Sequence, residues 1–565
     1  MTVVATNSGA PAPRTSVPVG AVRMDSSGPF VSKVGEVLPG PVRRRLLAAL
    51  MLVVVVVAGC TSAGSDRQKT PATADPAVVH TASGALRGTV APDHRLFAGI
   101  PYAAPPVGAL RWRPPAPAPP WEGERQATRP GPRCLQDPGS DPEFGRQTDE
   151  DCLTLNVWTP PVSDEKRPVM VWIHGGAFVN GSGAIYDARW LAARGDIVVV
   201  TVNYRLGTLG FLAHPALGER GDVGNYGLAD QQAALRWVRD HIADFGGDPQ
   251  RVTVAGESAG GMSVCDHLVA PGSAGLFDAA IIQSAPCQAQ APLPVAEQRS
   301  LEYAAGVGCP DPATAAACLR ALPADELRKP VWFVGIGADD LTGPVTGTSA
   351  LPVDPVRAIA DGTAARVPVL IGTNRDEFTL FVALRYLQQG DRYTPDQYPG
   401  LLADTFGPAA AQVAARYPID RYGSVALAYS AAVTDGEFAC VADRMADRLA
   451  GTAPVYAYEF NDRRAPAPEP LRTLPFPVGA SHSLELRYLF DVGGAPPLSG
   501  EQRRLSEEMI DYWSAFVATG APTAPDAPRW PEFGDGSYLS LQPDGSRVTT
   551  GFAEEHQCAF WSGLP

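Results

Sequence analysis

Val252-Thr-Val-Ala-Gly-Glu-Ser-Ala-Gly-Gly261 decides the fold. The β-branched run Val252 to Val254 reads as a strand, Gly256 to Gly260 as a tight turn, and the apolar run to Leu268 as a helix. A serine at such a junction needs small residues on both sides, because the backbone doubles back sharply. The turn lifts the Ser258 hydroxyl clear of the sheet edge. The Ala259 N–H, at the helix start, can then donate to a developing oxyanion. In a chain with 57 glycines the pentapeptide alone fits a surface loop equally well, so the flanking sequence has to decide.

Upstream, Val169-Met-Val-Trp-Ile-His174 is a buried-strand run that opens into Gly175-Gly176-Ala177-Phe178. Small residues after a strand let two backbone N–H groups face a cavity, the second half of an oxyanion device. His174 itself reads as a packing residue at a strand end. Ile197 to Asn203 is another apolar strand of parallel type. A helix over Ala229–Phe245 is stopped by Gly246-Gly247-Asp248-Pro249. Downstream, strands are expected at Ala279–Gln283, Val367–Gly372 and Val455–Phe460, and a last helix at Glu501–Ala518. The stretches around Gly99-Ile-Pro101 and after Trp530-Pro531 read as turn-rich or irregular, and residues 289–365 as a cap or gorge wall. Strand, loop, helix, strand, elbow, helix is the order of an α/β protein. A large, mostly parallel central sheet with helices on both faces and cap insertions is expected, in one catalytic domain over residues 76–565.

An activated serine needs a base within reach and an acid to orient it. Of eight histidines, three follow Ser258. His267 lies on the elbow helix and cannot fold back over the serine, and His556 lies in the final tail. His482, in the loop Gly479-Ala-Ser-His482-Ser-Leu-Glu485, is the base chosen. The acid belongs in a loop at a strand's carboxyl end between Ser258 and His482. Asp376 and Glu377 both qualify, and the chemistry alone does not choose between them.

The composition is that of a soluble globular protein, 45% hydrophobic and 19% charged, with a net charge of −14 and no basic patch, so nucleic acid is not an expected partner. Residues 1–42 read as a disordered or over-called extension, with Met24 as another initiator. Arg43-Arg44-Arg45 precedes an apolar run, Leu46 to Ala58, too short for a membrane span and right for an export signal. Val57-Ala58-Gly59-Cys60 resembles a bacterial lipoprotein box, with Cys60 lipidated, residues 43–60 as the signal segment and 61–75 as a polar tether. An exported chain held to the cell membrane only by that anchor is expected, or otherwise a secreted one.

The motifs together resemble the type-B carboxylesterases, the family of cholinesterases and bacterial para-nitrobenzyl esterases. They are Glu150-Asp-Cys-Leu-Thr-Leu-Asn-Val-Trp158, Trp172-Ile-His-Gly-Gly-Ala-Phe178, Gly224-Asn-Tyr-Gly-Leu-Ala-Asp-Gln231, Phe245-Gly-Gly-Asp-Pro249, Gly256-Glu-Ser-Ala-Gly260, Gly372-Thr-Asn-Arg-Asp-Glu377, Gly479-Ala-Ser-His482 and Cys558-Ala-Phe-Trp561. The similarity covers about residues 76–565. It implies an α/β-hydrolase fold and hydrolysis of small-molecule esters without cofactor or metal. It also implies Glu377 as the acid, and an oxyanion hole of the Gly176, Ala177 and Ala259 N–H groups. The third position of the family's glycine run is Ala177 here, which keeps the donor and implies a tighter acyl pocket. Cholinesterases carry a cation-binding tryptophan ahead of the cysteine matching Cys152. The segment Asp137 to Gln147 has Phe144 and no tryptophan, so no choline specificity is expected.

The resemblance also implies three disulfides, Cys134–Cys152, Cys309–Cys318 and Cys440–Cys558. Cys265 and Cys287 are left over, and a fourth bridge between them is the working expectation, with free buried thiols as its alternative. An oxidising, exported location agrees with such pairing. A rival of another class is a catalytically silent, cholinesterase-like surface binding protein. Such relatives lack part of the triad, and all of it is present here. Amides, carbamates and polyesters are not separated from simple esters by these motifs, and oligomeric state is not legible.

Overall fold

In the computed structural model, residues 75–140, 147–219, 221–390 and 392–564 are described. The export segment, Cys60, most of the tether and Phe144 lie outside them. Eleven strands build the central sheet: β1 (Thr89–Val90), β2 (Arg95–Pro101), β3 (Thr154–Thr159), β4 (Arg167–Ile173), β5 (Val198–Val202), β6 (Gly247–Glu257), β7 (Ala279–Gln283), β8 (Val369–Asn374), β9 (Val455–Phe460), β10 (Tyr538–Leu541) and β11 (Arg547–Thr549). Their spatial order is β11-β10-β9-β8-β7-β6-β4-β5-β3-β2-β1. The pairings from β10 across to β5 are parallel, and those at both margins are antiparallel.

The inner strands are apolar because they are covered on both faces. Every residue of β5, Val-Val-Val-Thr-Val, is buried, and each such Val side chain contributes about 1.5–3 kcal/mol. The expected first helix starts three residues earlier, as α1 (Tyr226–His241), and its last turn tightens into a 3₁₀ segment, Ile242–Phe245. Helix α2 (Ala259–Val269) follows the elbow. Three further helices matter for the site: α3 (Thr379–Gln388), α4 (Val425–Val433) and α5 (Cys440–Ala450). Between α4 and α5 the chain continues through a π-helical turn, Thr434–Ala439. The last helix, α6 (Gly500–Thr519), begins at a capping box in which Ser499 and Gln502 satisfy each other's backbone N–H.

Register explains where the chemistry sits. Ile173 of β4 pairs with Gly256 of β6, Glu257 with Gln283 of β7, and Gln283 with Gly372 of β8. The carboxyl ends of these strands therefore come level, and the loops that leave them share one rim. Two margins differ from the sequence reading. Gly99-Ile100-Pro101, read as turn, ends β2, and the tail after Trp530 supplies β10 and β11.

All eight cysteines of the described residues are bridged: Cys134–Cys152, Cys265–Cys287, Cys309–Cys318 and Cys440–Cys558. The Cys265–Cys287 pair ties α2 to the segment just after β7.

Candidate active site

Ser258 sits between β6 and α2 with φ +57° and ψ −125°, a backbone conformation that costs a non-glycine residue about 1–3 kcal/mol. Close packing holds it there. A Cβ on Gly260 would lie 2.0 Å from the Ile173 carbonyl oxygen, so only glycine lets α2 start this close to β4. Ser258 N–H donates to Gln283 O at 2.9 Å, fastening the elbow to β7.

The loop after β4 is strained in the same sense. Gly176, Ala177 and Phe178 have φ of +103°, +53° and +59°. Val179 and Asn180 N–H groups close the turn onto Gly176 O at 3.0 Å, and the Phe178 carbonyl accepts the Gly207 N–H at 2.7 Å. The buried Phe178 ring packs edge-on against Phe211. Ala259 is the first residue of α2, where a backbone N–H has no partner within the helix.

His482 is 4% exposed and its Nδ1 lies 2.6 Å from Glu377 Oε2. Glu377 is fully buried. Its Oε1 accepts from Thr373 Oγ1 at 2.7 Å and Asn374 N–H at 2.6 Å, so the carboxylate is held in place beside the ring. Asp376 does something else. It accepts the Ala480 N–H at 2.9 Å and pairs with Arg463 at 2.7 Å, holding the histidine loop by its backbone. The structure thus separates the two carboxylates that residue chemistry left equivalent. Phe381 of α3 and Phe438 of the π turn flank the imidazole at ring distances of 5.1 and 5.6 Å.

The other histidines fall as expected. His174 stacks on Tyr204, its Nδ1 lies 2.8 Å from Gly175 O, and burial lowers its pKa to about 4. His267 is bound by Ser273 and Gln231. His556 lies between Asp435 at 2.6 Å and Glu459 at 2.9 Å.

Two buried carboxylates escaped the sequence reading although both stand inside quoted motifs. Glu257, just before the serine, accepts the Ser483 hydroxyl at 2.6 Å, and its Oε1 lies 3.2 Å from His482 Nε2. Glu485 accepts from Asn374 Nδ2 at 2.5 Å and Gln283 Nε2 at 3.2 Å, and Gln283 in turn accepts the Trp513 indole N–H at 2.9 Å. For Glu257 the available signal was an acidic residue at an otherwise apolar strand end, whereas Glu485 lies in the 3₁₀ turn Leu484–Tyr488 and gave none. Burial raises the pKa of Glu257 and pushes Glu485 up to about 8. Burial pulls His482 down, but the Glu257 and Glu377 charges outweigh it and raise the imidazole to about 9. Its Nε2 has no hydrogen-bond partner among the described residues.

A left-handed serine at the carboxyl end of β6, a histidine–glutamate pair on the same rim and the strand order define an α/β-hydrolase. A carboxylesterase-family model matches residues 75–561. Fumonisin B1 esterase of Sphingopyxis macrogoltabida is 36% identical over 493 residues, covering 82% of this chain and 85% of that one. Para-nitrobenzyl esterase of Bacillus subtilis is 35% identical over 492 residues, 84% and 95% of the two chains. Cocaine esterase of Homo sapiens is 33% identical over 503 residues, 82% and 86%. The chain belongs to the carboxylesterase family and is a carboxylic ester hydrolase.

Proposed function

We propose that the chain is an exported serine carboxylesterase that works through an acyl-serine intermediate. The observation that carries it is the His482–Glu377 pair, which engages Nδ1 and leaves Nε2 without a hydrogen-bond partner on the rim that bears Ser258. Ser258 Oγ attacks the ester carbonyl while His482 Nε2 takes its proton, and Glu377 stabilises the imidazolium. The N–H groups of Gly176, Ala177 and Ala259 receive the oxyanion, each supplying roughly 3 kcal/mol. The imidazolium then protonates the leaving alcohol. Water, deprotonated by the same histidine, attacks the acyl-serine and releases the acid.

The substrate is a small-molecule ester, without choline specificity. Relatives named for fumonisin B1, para-nitrobenzyl esters and cocaine support a family site that accepts varied leaving groups. The Arg43–Arg45 and Leu46–Ala58 segment ending at Cys60 supports export and lipid anchoring, and four disulfides support an oxidising compartment.

The test compares full-length wild type with Ser258→Ala, using a fluorophosphonate read by intact mass and p-nitrophenyl esters of increasing acyl length. An adduct and turnover in wild type alone establish the nucleophile. Labelling of both variants, or of neither when both are folded, rejects it.

A further inference from the structure

A second cavity, of about 410 Å³, shares walls with both loops of the candidate site. Asp376 and Gly479 line it, whereas Ser258 and the oxyanion residues do not. Its volume falls within the range of small-molecule sites, about 300–1,000 Å³.

The charged groups in this cavity are unequally used. Each carboxylate is engaged. Asp376 is held by Arg463 and the Ala480 N–H, Asp435 by His556 and Tyr417, and Glu555 by Arg375. The guanidinium groups are not exhausted. Arg421 stacks over Tyr422 at 5.5 Å and has no carboxylate partner among the described residues. Arg463 reaches Asp376 through Nε and Nη2, which leaves Nη1, and Arg375 meets Glu459 and Glu555 through Nη1 alone. A guanidinium carries five N–H donors in a planar fork, so solvent-accessible donors that no protein group takes up, from three arginines, line one space.

We propose that this cavity binds a small organic polycarboxylate, at a site separate from the ester site. Carboxylate groups on a short carbon frame match separated guanidinium forks two oxygens at a time. A compact tetrahedral anion has one centre to share among three cations. Because Arg463 also secures Asp376, and Asp376 secures Ala480, an occupant bears on the loop that carries His482.

Citrate is the probe, titrated into the full-length chain by calorimetry. One-site saturable binding is expected in wild type and equally in Ser258→Ala, with at least a tenfold loss in Arg421→Gln and in Arg463→Gln. Arg421 is exposed and structurally uncommitted, so its variant reads binding without threatening the fold. Four results each overturn the proposal: a dissociation constant weaker than about 1 mM in wild type; equal affinity in Arg421→Gln; loss of binding when Ser258 carries a fluorophosphonate adduct; or inorganic phosphate binding as tightly as citrate.

Discussion

Glu257 Oε1 lies 3.2 Å from His482 Nε2, at the ring nitrogen opposite the one held by Glu377. The nitrogen that takes the serine proton in the proposed mechanism therefore faces a carboxylate. That contact favours the imidazolium, in the resting protein and in the transition state alike.

The pH profile should show it. Only the neutral imidazole accepts a proton, so kcat/KM falls as pH drops through the His482 pKa. With that pKa raised to about 9, the fall lies well to the alkaline side of an ordinary histidine near 6.5. In Glu257→Gln the midpoint should move to lower pH. The plateau should fall too, by tenfold for each ~1.4 kcal/mol of imidazolium stabilisation lost. A midpoint unchanged by the substitution would show that Glu257 bears no charge at the working pH.

Neighbouring acids should separate kinetically. Glu377→Gln keeps the shape but removes the charge and the tautomer control, and should lower kcat by on the order of 10³–10⁴-fold. Asp376→Asn keeps an acceptor oxygen for the Ala480 N–H but loses the charge and the two-oxygen pairing with Arg463, worth up to about 1 kcal/mol, and should cost stability more than rate. Steady-state kinetics and denaturant melts on both variants decide it, and comparable losses of kcat would refute the division of labour.

The Cys265–Cys287 bridge closes a loop of sequence separation 22, for which chain entropy gives about 3 kcal/mol. The double variant Cys265→Ala/Cys287→Ala should lose stability of that order. Denatured, unreduced wild type should show no titratable thiol from Cys134 to Cys558. Two free thiols there would contradict the bridge.

His556 supplies a separate pH effect, on stability. Burial lowers its pKa, but Asp435 and Glu459 on either side prevail and raise it to about 10. A group raised above its unfolded value of 6.5 contributes fully below that pH, and the contribution disappears as pH climbs through about 10. Denaturant midpoints should therefore decline from neutral to pH 10. His556→Gln should reduce the slope and cost about 3–5 kcal/mol at neutral pH, because buried Asp435 loses its cation and Glu459 keeps only Arg375.

Legibility followed how locally each feature is determined. The elbow announces itself because a strand, small residues and a helix must coincide within ten positions. The inner strands do so because burial on both faces makes them uniformly apolar. Arg95–Pro101 does not, since it takes its conformation from Thr154–Thr159, distant in sequence, and Arg547–Thr549 does not, since a three-residue, largely exposed hairpin strand carries no apolar run. Glu377 could be chosen over Asp376 only through family resemblance, because their difference lies in what Thr373, Asn374 and Arg463 do in space. Glu257 and Glu485 were in plain view, but a carboxylate's burial beside a particular imidazole is a property of the fold. The widened turn at Thr434–Ala439 leaves no pattern in composition at all.

That turn has a consequence for how such a site can change. A π turn holds one residue more than the α-helix it interrupts, and removing a residue there lets α4 and α5 keep their places in the frame. Residues within the turn would not keep theirs, since each step along a helix rotates a side chain by about 100°. Asp435, Glu437 and Phe438 would be dealt new neighbours together, with the ring beside His482 among them. Chain length at this one position, alongside the residue at Phe381, therefore sets what the base is pressed against.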